Sequence, residues 1–195
     1  MTTVDRLHYL VHPGWGIVGE KVIEERDRVM FQRYQKVAEG LSEEEVMMTL
    51  LVYPTCEQGS LPDAFVYQQI CQLKETLRQR LVVLSGGMRL LTDPKKLRAD
   101  TLRAKEIFER RGYIIQPSTL CMGFGETFLE CVPNACRQLR DAYQLVFDPI
   151  VRAHYTNQGV RDSETPAEER ARFKEIAQFY DFSNVTIDWT VPDQE

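Results

Sequence analysis

Leu81-Val82-Val83-Leu84, closed by Ser85-Gly86-Gly87 and followed from Asp93-Pro94 by an amphipathic stretch, is the passage that decides the fold. The four apolar residues have strand length and no polar face, so a strand here must be covered on both sides. The glycines stop the run. Thr92 or Asp93 suits a helix cap and Pro94 suits the first turn. Leu97, Thr101, Ala104 and Phe108 then share one helix face, and Gly112 ends it. A buried strand leading into such a helix is the unit from which parallel sheets are built.

The same alternation runs outward in both directions. Upstream, Leu7-His8-Tyr9-Leu10-Val11 is closed by His12-Pro13-Gly14-Trp15-Gly16. A helix is expected over about 19–39, with Val22, Val29, Met30, Val37 and Ala38 as its stripe and Gly40 as its stop. Val46 to Tyr53 forms the second run, ended by Pro54-Thr55-Cys56. Ser60 and Pro62 open a helix whose Val66, Ile70, Leu73 and Leu77 face one way. Downstream, Pro117 breaks Tyr113-Ile114-Ile115, so the fourth strand is expected at Thr119-Leu120-Cys121-Met122, with Gly123-Phe124-Gly125 as its closing loop. A helix through Ala135, Leu139, Ala142 and Tyr143 precedes a fifth strand at Leu145-Val146-Phe147, stopped by Asp148-Pro149. After a polar segment, Thr165-Pro166-Ala167-Glu168 is a capping box opening a helix with Phe173, Ile176, Ala177 and Tyr180 inward. Val185 to Val191 alternates as an edge strand. The expectation is a single α/β domain over 1–195, a three-layer, mostly parallel doubly wound (Rossmann-like) sheet of five or six strands with helices on both faces.

Composition narrows the function classes. A 195-residue chain of 22.7 kDa can bury a layered core without disulfides or a structural metal. A net charge of -5, with basic runs no longer than pairs such as Lys95-Lys96 and Arg110-Arg111, argues against nucleic acid as a partner. No apolar run approaches the roughly 18 residues of a membrane span, and the N-terminus has no signal-peptide pattern. Five cysteines without a CxxC pair read as reduced thiols, which points to the cytoplasm. His8, His12 and His154 are scattered, so no metal site is expected, and no cofactor either.

Parallel strands place every strand-to-helix loop at one edge of the sheet, where ligands of such sheets bind. The converging segments are His12 to Gly16, Tyr53 to Cys56, Ser85-Gly86-Gly87-Met88-Arg89, Gly123-Phe124-Gly125-Glu126-Thr127, and Asp148. Each alone reads as turn punctuation; together they suggest a small-molecule pocket. Ser85-Gly86-Gly87 could offer backbone N–H groups to an anion, without the lysine and spacing of a P-loop. Gly123-Phe124-Gly125 has two glycines of a dinucleotide fingerprint but Leu129 at the third place, so NAD is rejected. Thr127 and Glu130 have capping-box spacing, and Pro133 is a rival mark of the first turn. Under either reading Cys131 lies near a helix N-terminus, which favours a thiolate, although buried structural cysteines are the commoner case. Trp15, Phe124 and Phe128 suit an apolar pocket wall, plain core, or a contact in a homo-oligomer. His154 and Asp148 are set at the same edge or in solvated loop.

Gly123-Phe124-Gly125-Glu126-Thr127-Phe128-Leu129-Glu130-Cys131-Val132, followed by Ala135, resembles the nucleophile segment of the isochorismatase-like cysteine hydrolases. In that family a strand ends in glycine, an acidic-threonine pair follows, and Cys-Val opens a helix. The resemblance implies a Cys131 nucleophile with oxyanion donors between Thr127 and Cys131. One extra residue between Thr127 and Cys131 would rotate a helical thiol by about 100°. The family's first-strand aspartate is His12 here, and its lysine has Arg89 as the nearest cation, a poor proton acceptor. Three readings follow. A non-catalytic small-molecule binder is preferred, because that aspartate and lysine are missing. A divergent cysteine hydrolase would use Cys131 with His12 as base, since imidazole can take a thiol proton. A phosphate or nucleotide binder would use Ser85-Gly86-Gly87.

Overall fold

A computed structural model describes residues 1–11, 25–51, 61–85, 93–125 and 131–153. Within them the alternation becomes β1 (Thr2–Val11), α1 (Glu25–Glu39), β2 (Glu45–Leu51), α2 (Leu61–Leu77), β3 (Leu81–Ser85), α3 (Pro94–Arg110), β4 (Tyr113–Gly125), α4 (Cys131–Tyr143) and β5 (Ile150–Ala153). A single turn of 3₁₀ helix, Arg78–Arg80, links α2 to β3. The strands pair in the order β3-β2-β1-β4-β5, and every pairing is parallel.

Period-two alternation along each strand divides the core into two layers. Leu10, Met47, Leu51, Leu81, Met122 and Phe124 belong to one, against Phe31, Tyr34 and Ala38 of α1 and Ile70, Leu73 and Leu77 of α2. Leu7, Tyr9, Val11, Met48, Leu50 and Val82 belong to the other, against Leu97, Ala104 and Phe108 of α3 and Val132, Ala135, Cys136 and Leu139 of α4. The fold is therefore a three-layer α/β sandwich with helices on both faces. From β1 the chain moves outward through β2 to β3 with its helices on one face. It then crosses to β4 and β5 with its helices on the other, as right-handed crossovers require.

The α3 unit folds as its spacing dictates. The Asp93 carboxylate accepts from the backbone N–H groups of Lys95 and Lys96, each at 3.1 Å. Leu97, Thr101, Ala104 and Phe108 are its buried residues. Gly112 follows with φ +89°, a backbone angle that suits glycine. In α1, by contrast, the aromatic pair Phe31 and Tyr34 shares the buried face with Ala38, and Val37 is only partly buried. Residues 19–24, Ser60, and the helix and strand expected over 165–191 lie outside the described residues.

Two expected strands need correction. The fourth is not confined to Thr119–Met122; it starts at Tyr113 and continues through Gly123-Phe124-Gly125, which form strand rather than loop. Pro117 is accommodated because the ladder slips around it. Val4 pairs with Ile115 and Arg6 with Leu120, so a single β1 residue faces the bulged segment 116–119. Thr119 locks that bulge: its Oγ1 donates to the Val4 carbonyl at 2.7 Å and accepts from the Gln116 N–H at 3.0 Å. The Val146 N–H donates to the Pro117 carbonyl at 2.8 Å.

The fifth strand is Ile150–Ala153, not Leu145–Phe147. Val146 and Phe147 stand in the connection, 67% and 50% exposed. Asp148 precedes β5 and therefore lies toward the amino edge of the sheet, away from the strand-to-helix loops. There its carboxylate is bound by Arg140 Nη1 at 2.9 Å.

Thr119→Val keeps the side-chain shape but leaves the Val4 carbonyl and the Gln116 N–H without their hydroxyl. Denaturant unfolding should show a loss of about 1–3 kcal/mol. A loss within a few tenths of wild type would mean that the bulge is not held this way.

Candidate functional site

Because all five strands are parallel, Val11, Leu51, Ser85, Gly125 and Ala153 end along one edge. Of these, Val11 and Gly125 are direct partners in adjacent strands. They also mark the reversal: β2 and β3 lie on one side of β1, with β4 and β5 on the other. The connection from β1 leads to α1 on one face of the sheet, and that from β4 leads to α4 on the opposite face. β1 and β4 thus end at neighbouring points, and the helices that follow them lie on opposite faces.

Gly125 is required by packing. A Cβ there would overlap Val132 Cγ2 and come within 2.6 Å of the Val11 carbonyl oxygen. Gly123, two residues earlier on the same face, leaves room for Cys136 Sγ, which a Cβ would strike. The two glycines together let α4 press close against β4, and Gly125 sets Val132, the second residue of α4, directly over the β1–β4 junction. Cys131, the first residue of α4, is thereby brought to the reversal. Pro133 falls in that first turn and contributes no N–H.

Not every expected site residue converges on this point. Ser85 ends β3, an outer strand of the described sheet, and pairs with Leu51 of β2. It stands two strands from β1, roughly 10 Å at ordinary strand spacing. Phe124 is not a pocket wall but core, 2% exposed and packed with the α1–α2 layer. Asp148 belongs to the opposite edge, as described above. His12, Gly14, Trp15, Gly86, Gly87, Arg89, Glu126, Thr127, Phe128 and His154 lie outside the described residues. Among the described residues no three His, Cys, Asp or Glu side chains converge as metal ligands, and no helix is long and apolar enough to cross a membrane.

Two polar groupings below the edge were not legible from spacing. His8 is 5% exposed and stacks on Phe124 with ring centroids 5.7 Å apart and planes 10° from parallel. Its Nε2 lies 3.8 Å from Glu45 Oε2, while Glu45 Oε1 takes Arg6 Nη1 at 3.1 Å. The hint was a histidine inside an otherwise apolar run, three residues before its end. That places it about 10 Å below the edge.

The second grouping lies under α4, where Tyr9, Cys121, Cys136 and Tyr143 are all buried. The Tyr143 hydroxyl donates to the Thr101 carbonyl at 2.7 Å, whereas the Tyr9 hydroxyl has no hydrogen-bond partner among the described residues. Burial, reinforced by the nearby thiols and Tyr143, pushes the Tyr9 phenol well above its ordinary value of 10.0. The Cys136 thiol is pushed above 9.0 by its hydrogen bond with Cys121 and by burial. Burial likewise raises Tyr143. Tyr9, Tyr143 and Cys136 are thereby held neutral, so the Cys136 thiol is a poor nucleophile.

Compared with known proteins, the chain matches no family model, no curated protein and no solved structure.

The glycine contacts can be tested separately. Gly123→Ala should cost about 1–3 kcal/mol in urea unfolding, and adding Cys136→Ala should recover part of that loss, because the obstructing sulfur goes. Gly125→Ala should cost at least as much and resist rescue by Val132→Ala, since the Val11 carbonyl remains. Purely additive losses in the first pair would contradict the packing.

The buried neutral groups also fix a pH dependence. Their folded pKa values exceed the unfolded ones, so the stability they contribute is complete below about pH 9 and falls as pH rises beyond 9 to 10. Tyr9→Phe, which removes a hydroxyl without a described partner, should leave the melting temperature at pH 7 unchanged or higher and flatten this alkaline fall. Equal alkaline slopes for variant and wild type would show that Tyr9 does not titrate on unfolding.

Proposed function

We propose that the chain binds a small organic molecule at the carboxyl edge of its sheet, in the crevice between β1 and β4. The observation that carries this reading is the reversal of strand order between those two strands. Connections leaving such a point go to opposite faces, and the gap between them is where open α/β sheets take their ligands. The packing at Gly125 supports it, because it draws the amino end of α4, with its partial positive charge, to the same point. Binding without turnover is the first reading, since His12 holds the place of the resembling hydrolases' aspartate and the nearest cation to the place of their lysine is Arg89. Five cysteines without a CxxC pair and basic runs no longer than pairs fit a cytoplasmic protein with a small-molecule partner rather than nucleic acid.

A second reading makes Cys131 the nucleophile of an isochorismatase-like hydrolase, with His12 as its base. It is favoured by one observation: Cys131 is the first described residue of the helix that Gly125 holds at the reversal. The thiol would pass its proton to the His12 imidazole and attack a carbonyl carbon; the carbonyl–N or carbonyl–O bond would then break, the amine or alcohol leaving with that proton, and water would hydrolyse the thioester. Anion binding at Ser85-Gly86-Gly87 is not favoured, because β3 lies away from the reversal.

Thermal-shift screening of the full chain with small carboxylates, amides and phosphorylated metabolites tests the proposal. A ligand present at 100 times its Kd should stabilise the fold by about 2.7 kcal/mol. Cys131→Leu, which adds bulk at the first described position of α4, should abolish that shift while leaving the unliganded melting temperature within a few degrees. Stabilisation by every ligand that persists in Cys131→Leu would overturn the assignment. For the second reading, hydrolysis of an amide or ester panel that disappears in Cys131→Ala is the expected result, and unchanged hydrolysis rules it out.

A further inference from the structure

We draw no further inference here: the strongest candidate, the buried thiol pair of Cys121 and Cys136 between β4 and α4, is sealed at 1% and 0% exposure, and nothing beyond the raised proton affinity of Cys136 points to a metal, an oxidant or a ligand that reaches it.

Discussion

The close approach of Gly125 to the Val11 carbonyl and Val132 is the constraint on which the proposed site depends. It occurs where two parallel strands meet with their order reversed, and it joins three elements, β1, β4 and α4, at one point. A side chain at 125 would lift α4 away from the sheet and take Cys131 with it. Gly123 makes the matching allowance one step lower, for the Cys136 sulfur. The spacing of these glycines by two is therefore a packing requirement on one face of β4, and close helix–strand approach explains both without a dinucleotide.

Stability and site location arise from the same arrangement. The carboxyl halves of the central strands are buried on both sides and largely apolar, and several polar residues nearer the amino edge are held by specific partners. Thr119 satisfies the bulge, Glu45 binds Arg6, and Arg140 binds Asp148. Two of these, the Arg6–Glu45 and Arg140–Asp148 pairs, lie toward the amino ends of β2 and β5. They steady the base of the sheet and leave the carboxyl edge to the connections that carry His12, Arg89 and Thr127 in the sequence. Separation of a stabilising edge from a binding edge is a property that parallel sheets share.

Much of this could be read from residues alone, for identifiable reasons. The α3 unit was legible to within a residue, the cap lying at Thr92 or Asp93, because a proline in the first turn and a face of Leu97, Thr101, Ala104 and Phe108 at helical spacing agree. Cys131 was expected near a helix start, whether the capping-box spacing of Thr127 and Glu130 or Pro133 marks it, and it is the first described residue of α4. Strand order was not, since pairing depends on crossovers that leave no local mark. The fifth strand was misplaced because Leu145-Val146-Phe147 has strand-like hydropathy, and exposure of Val146 and Phe147 is decided by the loop that holds them. Pro117 misled for a related reason: a bulge keeps a proline inside a strand only when a distant partner, here the β1 segment Val4–Arg6, slips to accommodate it. The burial of His8 against Phe124 depended on knowing that β1 and β4 are neighbours.

Crystallographic fragment soaking of the full chain tests the central claim most directly. The account predicts bound fragments gathered at the carboxyl ends of β1 and β4, beside Val11, Gly125 and the first turn of α4. Fragments gathered instead beyond Ser85 at the end of β3, or at the amino edge near Asp148, would contradict it.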